Sequence, residues 1–307
     1  MPGKQKRILP AHPPQPRRDQ TPDHPPHRPA PHPGRRRSAL VTLAPTTPAP
    51  SPHQPLQTTR TQPLTWPPAT ASTVAVLGLW NGNGAVRVLE QDAECFALLL
   101  ERAEPGTELG RADHLSAEDR LLSAAQVLRL LWSADVAQAA ELGIDPLADI
   151  TARWARLADR QAARKWPAEL DAGLYRLAAR LFRELPATAA RTVVLHGDFN
   201  PGNLLSARRV PWLAIDAKPM TGDPAFDPWP LLEQVDDPFT HPDPHRVLHH
   251  RTALLADAVG EDVDRVRAWA VARHVEYALW SVDEDEDLHR SVTLMRQARV
   301  LADVAAL

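Results

Sequence analysis

The sequence predicts an α+β fold behind a long unstructured tail, and three observations carry that reading. Residues 1–70 hold 19 of the chain's 32 prolines, with ten Lys/Arg against two acids, so a net +8 there leaves −11 on the other 237 residues. From Thr73 onward apolar residues recur first with strand-like and then with helical periods. The order is strands, then helices, then a small β insert, then helices again, without βαβ alternation and without an internal repeat.

The tail comes first. Proline fixes φ and removes a backbone donor, and the few apolar residues of 1–72 do not offset the entropy of ordering them, so this stretch is expected to be disordered. Its Arg35-Arg-Arg37 run has no interleaved aromatics and no reading module, so no nucleic-acid partner is expected. The single cysteine, Cys95, cannot form an internal disulfide. No run of 18 apolar residues and no signal-peptide core occurs, so a cytoplasmic protein without membrane association is expected, its oligomeric state unknown.

The globular part reads in order. Thr73–Trp80 is apolar, Asn81-Gly-Asn-Gly84 is turn chemistry, and Ala85–Leu89 alternates like a half-buried strand. Phe96–Glu101 is a second short strand, stopped by Glu104-Pro-Gly106. Ser116-Ala-Glu-Asp119 resembles a capping box and opens a helix toward Leu142, a second helix covers 147–165, and after Pro167 a third runs from about 168 to 185. Arg191–His196 and Pro211–Asp216 read as buried strands flanking a loop, and two further helices fill roughly 245–282 and 286–306. Trp132, Trp154, Trp166, Trp212, Trp229, Trp269 and Trp280 fall mostly on predicted buried faces.

The chemistry concentrates in Leu195-His-Gly-Asp-Phe-Asn-Pro-Gly-Asn-Leu-Leu205 and Leu213-Ala-Ile-Asp216. Asp198, Asn203 and Asp216 are three acceptor side chains, and Mg²⁺ takes one or two such protein oxygens alongside phosphate and water oxygens. A carboxylate not committed to metal can accept a proton from an attacking hydroxyl. The spacing His196-x-Asp198-x4-Asn203 matches the catalytic loop of protein kinases, with Asp216 at a strand end where a second metal ligand belongs. Gly197 and Asn200 stand where those enzymes carry Arg and Lys, and no Asp-Phe-Gly follows.

These strings resemble the aminoglycoside phosphotransferase family, in its streptomycin and hydroxyurea kinase branch. The resemblance extends to Trp212–Pro219, Gly222-Asp-Pro-Ala-Phe-Asp227, Leu79–Leu89 and Leu98–Gly106, and covers about residue 76 to the C-terminus. It implies a protein-kinase-like fold, with a remnant of the N-lobe and hinge over 73–104 and a largely helical C-lobe over 105–307. It also implies transfer of the ATP γ-phosphoryl group to a hydroxyl of a small-molecule substrate, an antibiotic-resistance activity. On it Asp198 is the base, Asn203 and Asp216 hold Mg²⁺, and the Glu101 carbonyl and Ala103 N–H meet the adenine edge of ATP. His196 braces the loop and Asp227 anchors the segment after the metal.

One part of such a site is not encoded. The four lysines are Lys4, Lys6, Lys165 and Lys218, none on a strand shortly before the hinge, and Gly3 and Gly34 are the only glycines before residue 76. The alternative reading is therefore a catalytically crippled, pseudokinase-like fragment lacking the nucleotide-gripping Lys and Gly-rich loop. A Pro-, Arg-, His- and Ala-rich 1–70 also fits a GC-rich gene read out of frame.

Remaining candidates lie toward the C-terminus. Glu233, Glu276 and Trp280 are placed on the substrate side by location. The acidic run Asp283–Asp287 can draw a cationic acceptor, although such runs are more often solvated linkers. His245 and His249 stand one helical turn apart, but flanking prolines and the lack of a Cys partner favour a loop entering a helix over a zinc site.

Overall fold

A computed structural model describes residues 38–42, 68–92, 97–283 and 288–307, with the backbone alone at 38–42, 68–70, 282 and 283. The chain divides into Met1–Arg36, which lies outside the described residues, and a unit Arg37–Leu307.

Its first sheet has the order β1-β3-β2, built from β1 (Ser38–Thr42), β2 (Val88–Asp92) and β3 (Ala97–Glu101). All pairs are antiparallel, with Ser38 opposite Glu101 and Thr42 opposite Ala97. Between β1 and β2 lies α1 (Pro68–Trp80), opened by a proline whose missing N–H costs nothing at a helix start. Two stretches inside the expected tail thus carry backbone structure: β1, a proline-free run, and the first turn of α1. The other residues of 1–67 lie outside the described residues. The strand expected from Ala85 begins only at Val88, because Ala85 instead makes a single parallel bridge to Ala214.

The helical remainder opens with β4 (Pro105–Glu108), α2 (Ala117–Leu131) and α3 (Val136–Glu141). At the start of α2 the Asp119 N–H donates to Ser116 Oγ at 3.0 Å, and the Ser116 hydroxyl donates to the Asp119 carboxylate, as the capping sequence predicts. The single helix expected to Leu142 is two. Asp135 caps a new start by accepting from Ala137 N–H at 2.8 Å, which ends the continuity at Trp132–Ala134.

Next come α4 (Leu147–Ala163) and α5 (Ala172–Ala187), amphipathic helices packed on each other, with Trp154 edge-on to Phe182 at 5.6 Å between ring centroids. Then β5 (Val193–Leu195), β6 (Leu204–Ala207), β7 (Trp212–Ala214) and β8 (Met220–Gly222) form two small antiparallel sheets, β4-β6-β7 and β5-β8. The loop 196–203 is thereby clamped between β5 and β6, and 215–219 between β7 and β8. These two clamped segments carry the motif residues.

The chain ends with α6 (Pro228–Gln234), α7 (Pro244–Val259), α8 (Val263–Asp283) and α9 (Leu288–Ala305). The helix expected over 245–282 is two, because Gly260 takes the left-handed conformation at φ 78° and closes α7 with its N–H on Ala256 O. α8 runs through the core with Val271, Val275 and Ala278 fully buried. Of the tryptophans read as core, Trp132, Trp212, Trp229 and Trp269 are buried, whereas Trp154, Trp166 and Trp280 are half-buried. Among the described residues no helix is long and apolar enough to cross a membrane.

Candidate active site

Asp227 organises the loop. Its carboxylate is fully buried and accepts from the backbone N–H of His196 and of Gly197, each at 2.9 Å, and from the Trp132 indole N–H at 3.0 Å. A buried carboxylate with three donors is satisfied and holds the loop at one height against α2. The anchor inferred from Gly222–Asp227 thus sits against the loop itself.

His196 is also fully buried, between Trp80 (ring centroids 6.1 Å, stacked) and Phe199 (5.4 Å, edge-on). Its Nε2 lies 3.0 Å from Ile215 O, so it donates there, and Nδ1 accepts the Asp198 N–H at 3.3 Å. Burial pushes its pKa down, against the pull of Asp227 and other acids, which favours the neutral ring this pairing requires. Through this ring the Asp198 segment is tied to the Asp216 segment.

The departures from the protein-kinase motif have geometric reasons. Gly197 has φ +81°, and a Cβ there would lie 1.9 Å from Lys218 O, so a bulky residue is excluded. Lys218 N–H donates to His196 O at 2.8 Å, which locks that close approach. Asn200 Oδ1 accepts from Gly202 and Asn203 N–H at 2.9 and 3.2 Å, and its amide donates to Asp198 Oδ1 at 3.1 Å.

Asp198 lies at a junction. Its Oδ2 is hydrogen-bonded by Lys218 Nζ, and Asn203 Nδ2 donates to its backbone carbonyl at 2.9 Å. Burial pushes the Asp198 pKa up, but the Lys218 ammonium and the Asn200 amide outweigh it and hold the carboxyl below its usual range. It is therefore an ionised carboxylate with both oxygens oriented. Lys165, the other lysine among the described residues, is exposed beyond the end of α4.

The motif residues line two cavities. One, of about 570 Å³, is lined by the backbone stretch Glu101–Ala103, by Asn203 and Asp216, and by apolar Leu77, Val86 and Ile215. The other, of about 380 Å³, is lined by Asp198, Lys218, Arg273 and Glu276 with Trp154 and Tyr277. Asp216 stands in the left-handed region at φ 53°, at the turn after β7. Asn203 and Asp216 thus line the first cavity and Asp198 the second.

Of the three further candidates, Glu276 is brought to the second cavity; the other two are not. Glu233 lies near the end of the short α6, 3.4 Å from His274 Nδ1, and lines a different cavity with Asp237 and Gln297. Trp280, one turn beyond Glu276 on α8, donates its indole N–H to Glu276 Oε1 at 2.7 Å. Residues 284–287 of the acidic run lie outside the described residues. Among the described residues no three His, Cys, Asp or Glu side chains gather for a metal, and His245 pairs with Asp303 at 3.6 Å.

Sequence reasoning missed Arg209. Its guanidinium grips both Glu101 oxygens at 2.9 Å and also donates to Gly82 O at 2.8 Å, tying the β6–β7 turn to the Glu101–Ala103 stretch. It also missed Asp223, whose buried carboxylate accepts from Arg265 Nε at 2.7 Å and Trp269 Nε1 at 2.5 Å. Arginines far apart in sequence give no periodic signal, so neither contact was readable from spacing.

The fold is that of the kinase-like small-molecule phosphotransferases. The structure superposes on aminoglycoside 2'-phosphotransferase-IIIa in its GDP complex with a TM-score of 0.55 at 17% identity, covering 75% of this chain and 82% of that one. It superposes on the choline kinase LicA of Streptococcus pneumoniae with a TM-score of 0.52 at 16% identity, covering 78% and 84%.

Residues 70–285 match the family described as aminoglycoside/hydroxyurea antibiotic resistance kinase, and the chain belongs to that family. It is 34% identical over 227 residues to the streptomycin 6-kinase of Streptomyces glaucescens, covering 71% of this chain and 69% of that protein. It is also 34% identical over 212 residues to the hydroxyurea phosphotransferase of Kitasatospora aureofaciens, covering 68% and 58%. The family is one of phosphotransferases acting on hydroxyl groups.

Proposed function

We propose that the chain transfers the γ-phosphoryl group of ATP to a hydroxyl of a small molecule, with streptomycin and hydroxyurea as the first acceptors to try. The observation that carries this reading is that Asn203, which lines one cavity with Asp216, donates at 2.9 Å to the backbone carbonyl of Asp198, which lines the other.

On this reading the nucleotide takes the larger cavity, its base against the Glu101 carbonyl and the Ala103 N–H and between apolar walls. The oxygen donors of Asn203 and Asp216 fit Mg²⁺, which takes few protein ligands and fills its shell with phosphate and water oxygens. Bound there, the ion would neutralise charge on the phosphate oxygens. The acceptor takes the smaller cavity with its hydroxyl toward Asp198. The Asp198 carboxylate orients that hydroxyl and accepts its proton as the oxygen attacks the γ-phosphorus and the bond to the β-phosphate oxygen breaks. His196 and Asp227 hold the loop that carries Asp198 and touch neither reactant.

The test is a phosphotransfer assay with ATP and Mg²⁺ and each acceptor in turn. Phosphorylated acceptor is expected, and Asp198→Ala should lower kcat by about 10²–10⁴. Turnover unchanged in Asp198→Ala removes that residue from the mechanism, and no product with any hydroxyl acceptor removes the reading.

A further inference from the structure

Lys218 pairs with Asp198 for a reason that fold stability does not supply. Its backbone is fixed over the loop: the Lys218 N–H donates to His196 O at 2.8 Å, and its carbonyl oxygen occupies the space that a Cβ on Gly197 would need. From that position the ammonium hydrogen-bonds Asp198 Oδ2, although the lysine side chain is 64% exposed. So exposed an ion pair contributes little to the fold, because water and salt screen it and a long side chain must be ordered to make it. The pairing nevertheless puts a cation on the carboxylate assigned to the acceptor hydroxyl.

The other cations lining the two cavities are committed elsewhere. Arg273 is buried, with its guanidinium 4.1 Å from the centre of the Phe226 ring and its terminal nitrogens directed to Phe226 O and Gly197 O. Arg102 belongs to the Glu101–Ala103 stretch of the larger cavity and lies 3.9 Å from Glu104. Lys218 is therefore the exposed cation beside Asp198. An ammonium carries three donors on a flexible stem, and Asp198 takes one of them. Asp216, two residues earlier in the same turn, lines the larger cavity, whereas Lys218 lines the smaller one. A phosphoryl group leaving the Asn203–Asp216 side for a hydroxyl held by Asp198 must approach that hydroxyl to about 3–3.5 Å before attack, which brings its oxygens within reach of the Lys218 ammonium.

We propose that Lys218 is a catalytic residue that binds a γ-phosphate oxygen of ATP and stays with the phosphoryl group as it passes to the acceptor. In that step the bond from the acceptor oxygen to phosphorus forms, the bond from phosphorus to the β-phosphate oxygen breaks, the hydroxyl proton goes to Asp198 and ADP leaves. Lys218 keeps its proton throughout and neutralises charge on the oxygens of the transferred group. The proposal rests on the phosphotransferase reading, but the contact it names is one that ATP makes and ADP does not, so it is tested without turnover.

The full-length protein with Mg²⁺ and no acceptor is titrated calorimetrically with ADP and with the β,γ-imido analogue of ATP. Lys218→Met should weaken the ATP analogue about tenfold and change ADP less than about twofold, whereas Lys218→Arg, which keeps the charge, should bind both within about threefold of wild type. Thermal melting reports that each variant folds. In the phosphotransfer assay Lys218→Met should lower kcat about 10²-fold. An equal loss for both nucleotides, which a displaced loop would give, no loss for either, a Lys218→Arg variant as weak as Lys218→Met, or an unchanged kcat in Lys218→Met each overturn the proposal. Binding of neither nucleotide to the wild type overturns the proposal together with the reading it rests on. The expected difference between the ATP analogue and ADP, without transfer to any hydroxyl, instead faults the reaction assigned to the site and upholds the Lys218 contact.

Discussion

Gly197 and Lys218 approach so closely that a Cβ on the first would lie 1.9 Å from the carbonyl oxygen of the second. The contact joins the loop after β5 to the turn before β8, and therefore joins Asp198 to the segment that carries Asp216. Gly197→Ala is expected to cost at least about 1–2 kcal/mol from the left-handed backbone alone, with the clash adding to it. Denaturant unfolding checks the loss. Unchanged stability would mean the two segments can part freely.

Asp227→Ala removes one acceptor from three buried donors at once, the N–H groups of His196 and Gly197 and the Trp132 indole. Each unsatisfied donor costs about 1–3 kcal/mol, so a total loss of about 3–9 kcal/mol is expected, with the indole near-UV signal altered. Asp227→Asn, which keeps an acceptor oxygen, should lose less.

Arg209→Ala should loosen the Glu101–Ala103 stretch and raise the KM for nucleotide more than it lowers kcat. The same pair gives a pH dependence. The Arg209 hydrogen bond, opposed by burial, holds the Glu101 carboxyl below its ordinary 4.5. A folded-state pKa below the unfolded one stabilises fully above about 4.5 and is lost as pH falls through the folded value. Denaturant unfolding of wild type and Arg209→Ala should therefore differ more at pH 7 than at pH 3, and an equal difference at both would discard the pairing.

Asp216→Asn keeps the size of the side chain but removes its charge from the cavity that also holds Asn203. The expected outcome is a rise in the Mg²⁺ concentration needed for half-maximal rate and a fall of about 10²-fold or more in kcat. An unchanged Mg²⁺ profile would assign the ion elsewhere.

The elements were readable where one local signal dominated. The Ser116 cap, the amphipathic α4 and α5, and the strand–loop–strand around 196–203 follow from short-range periodicity and turn chemistry. Breaks were harder to see, because the stop at Trp132–Ala134 and the left-handed Gly260 each depend on a single residue within otherwise helical composition.

The sequence by itself determined the order of elements, the family strings and the three oxygen-bearing positions Asp198, Asn203 and Asp216, since spacing within a loop is a local property. Only the tertiary structure decided that Glu276 reaches the Asp198 cavity while Glu233 lines another. It alone also decided that Arg209 grips Glu101, 108 residues away, and that Lys218 closes over both the Gly197 backbone and the Asp198 side chain. The physical reason is that a helix face and a guanidinium fork find their partners through packing between segments distant in the chain, and such pairings leave no period in the sequence.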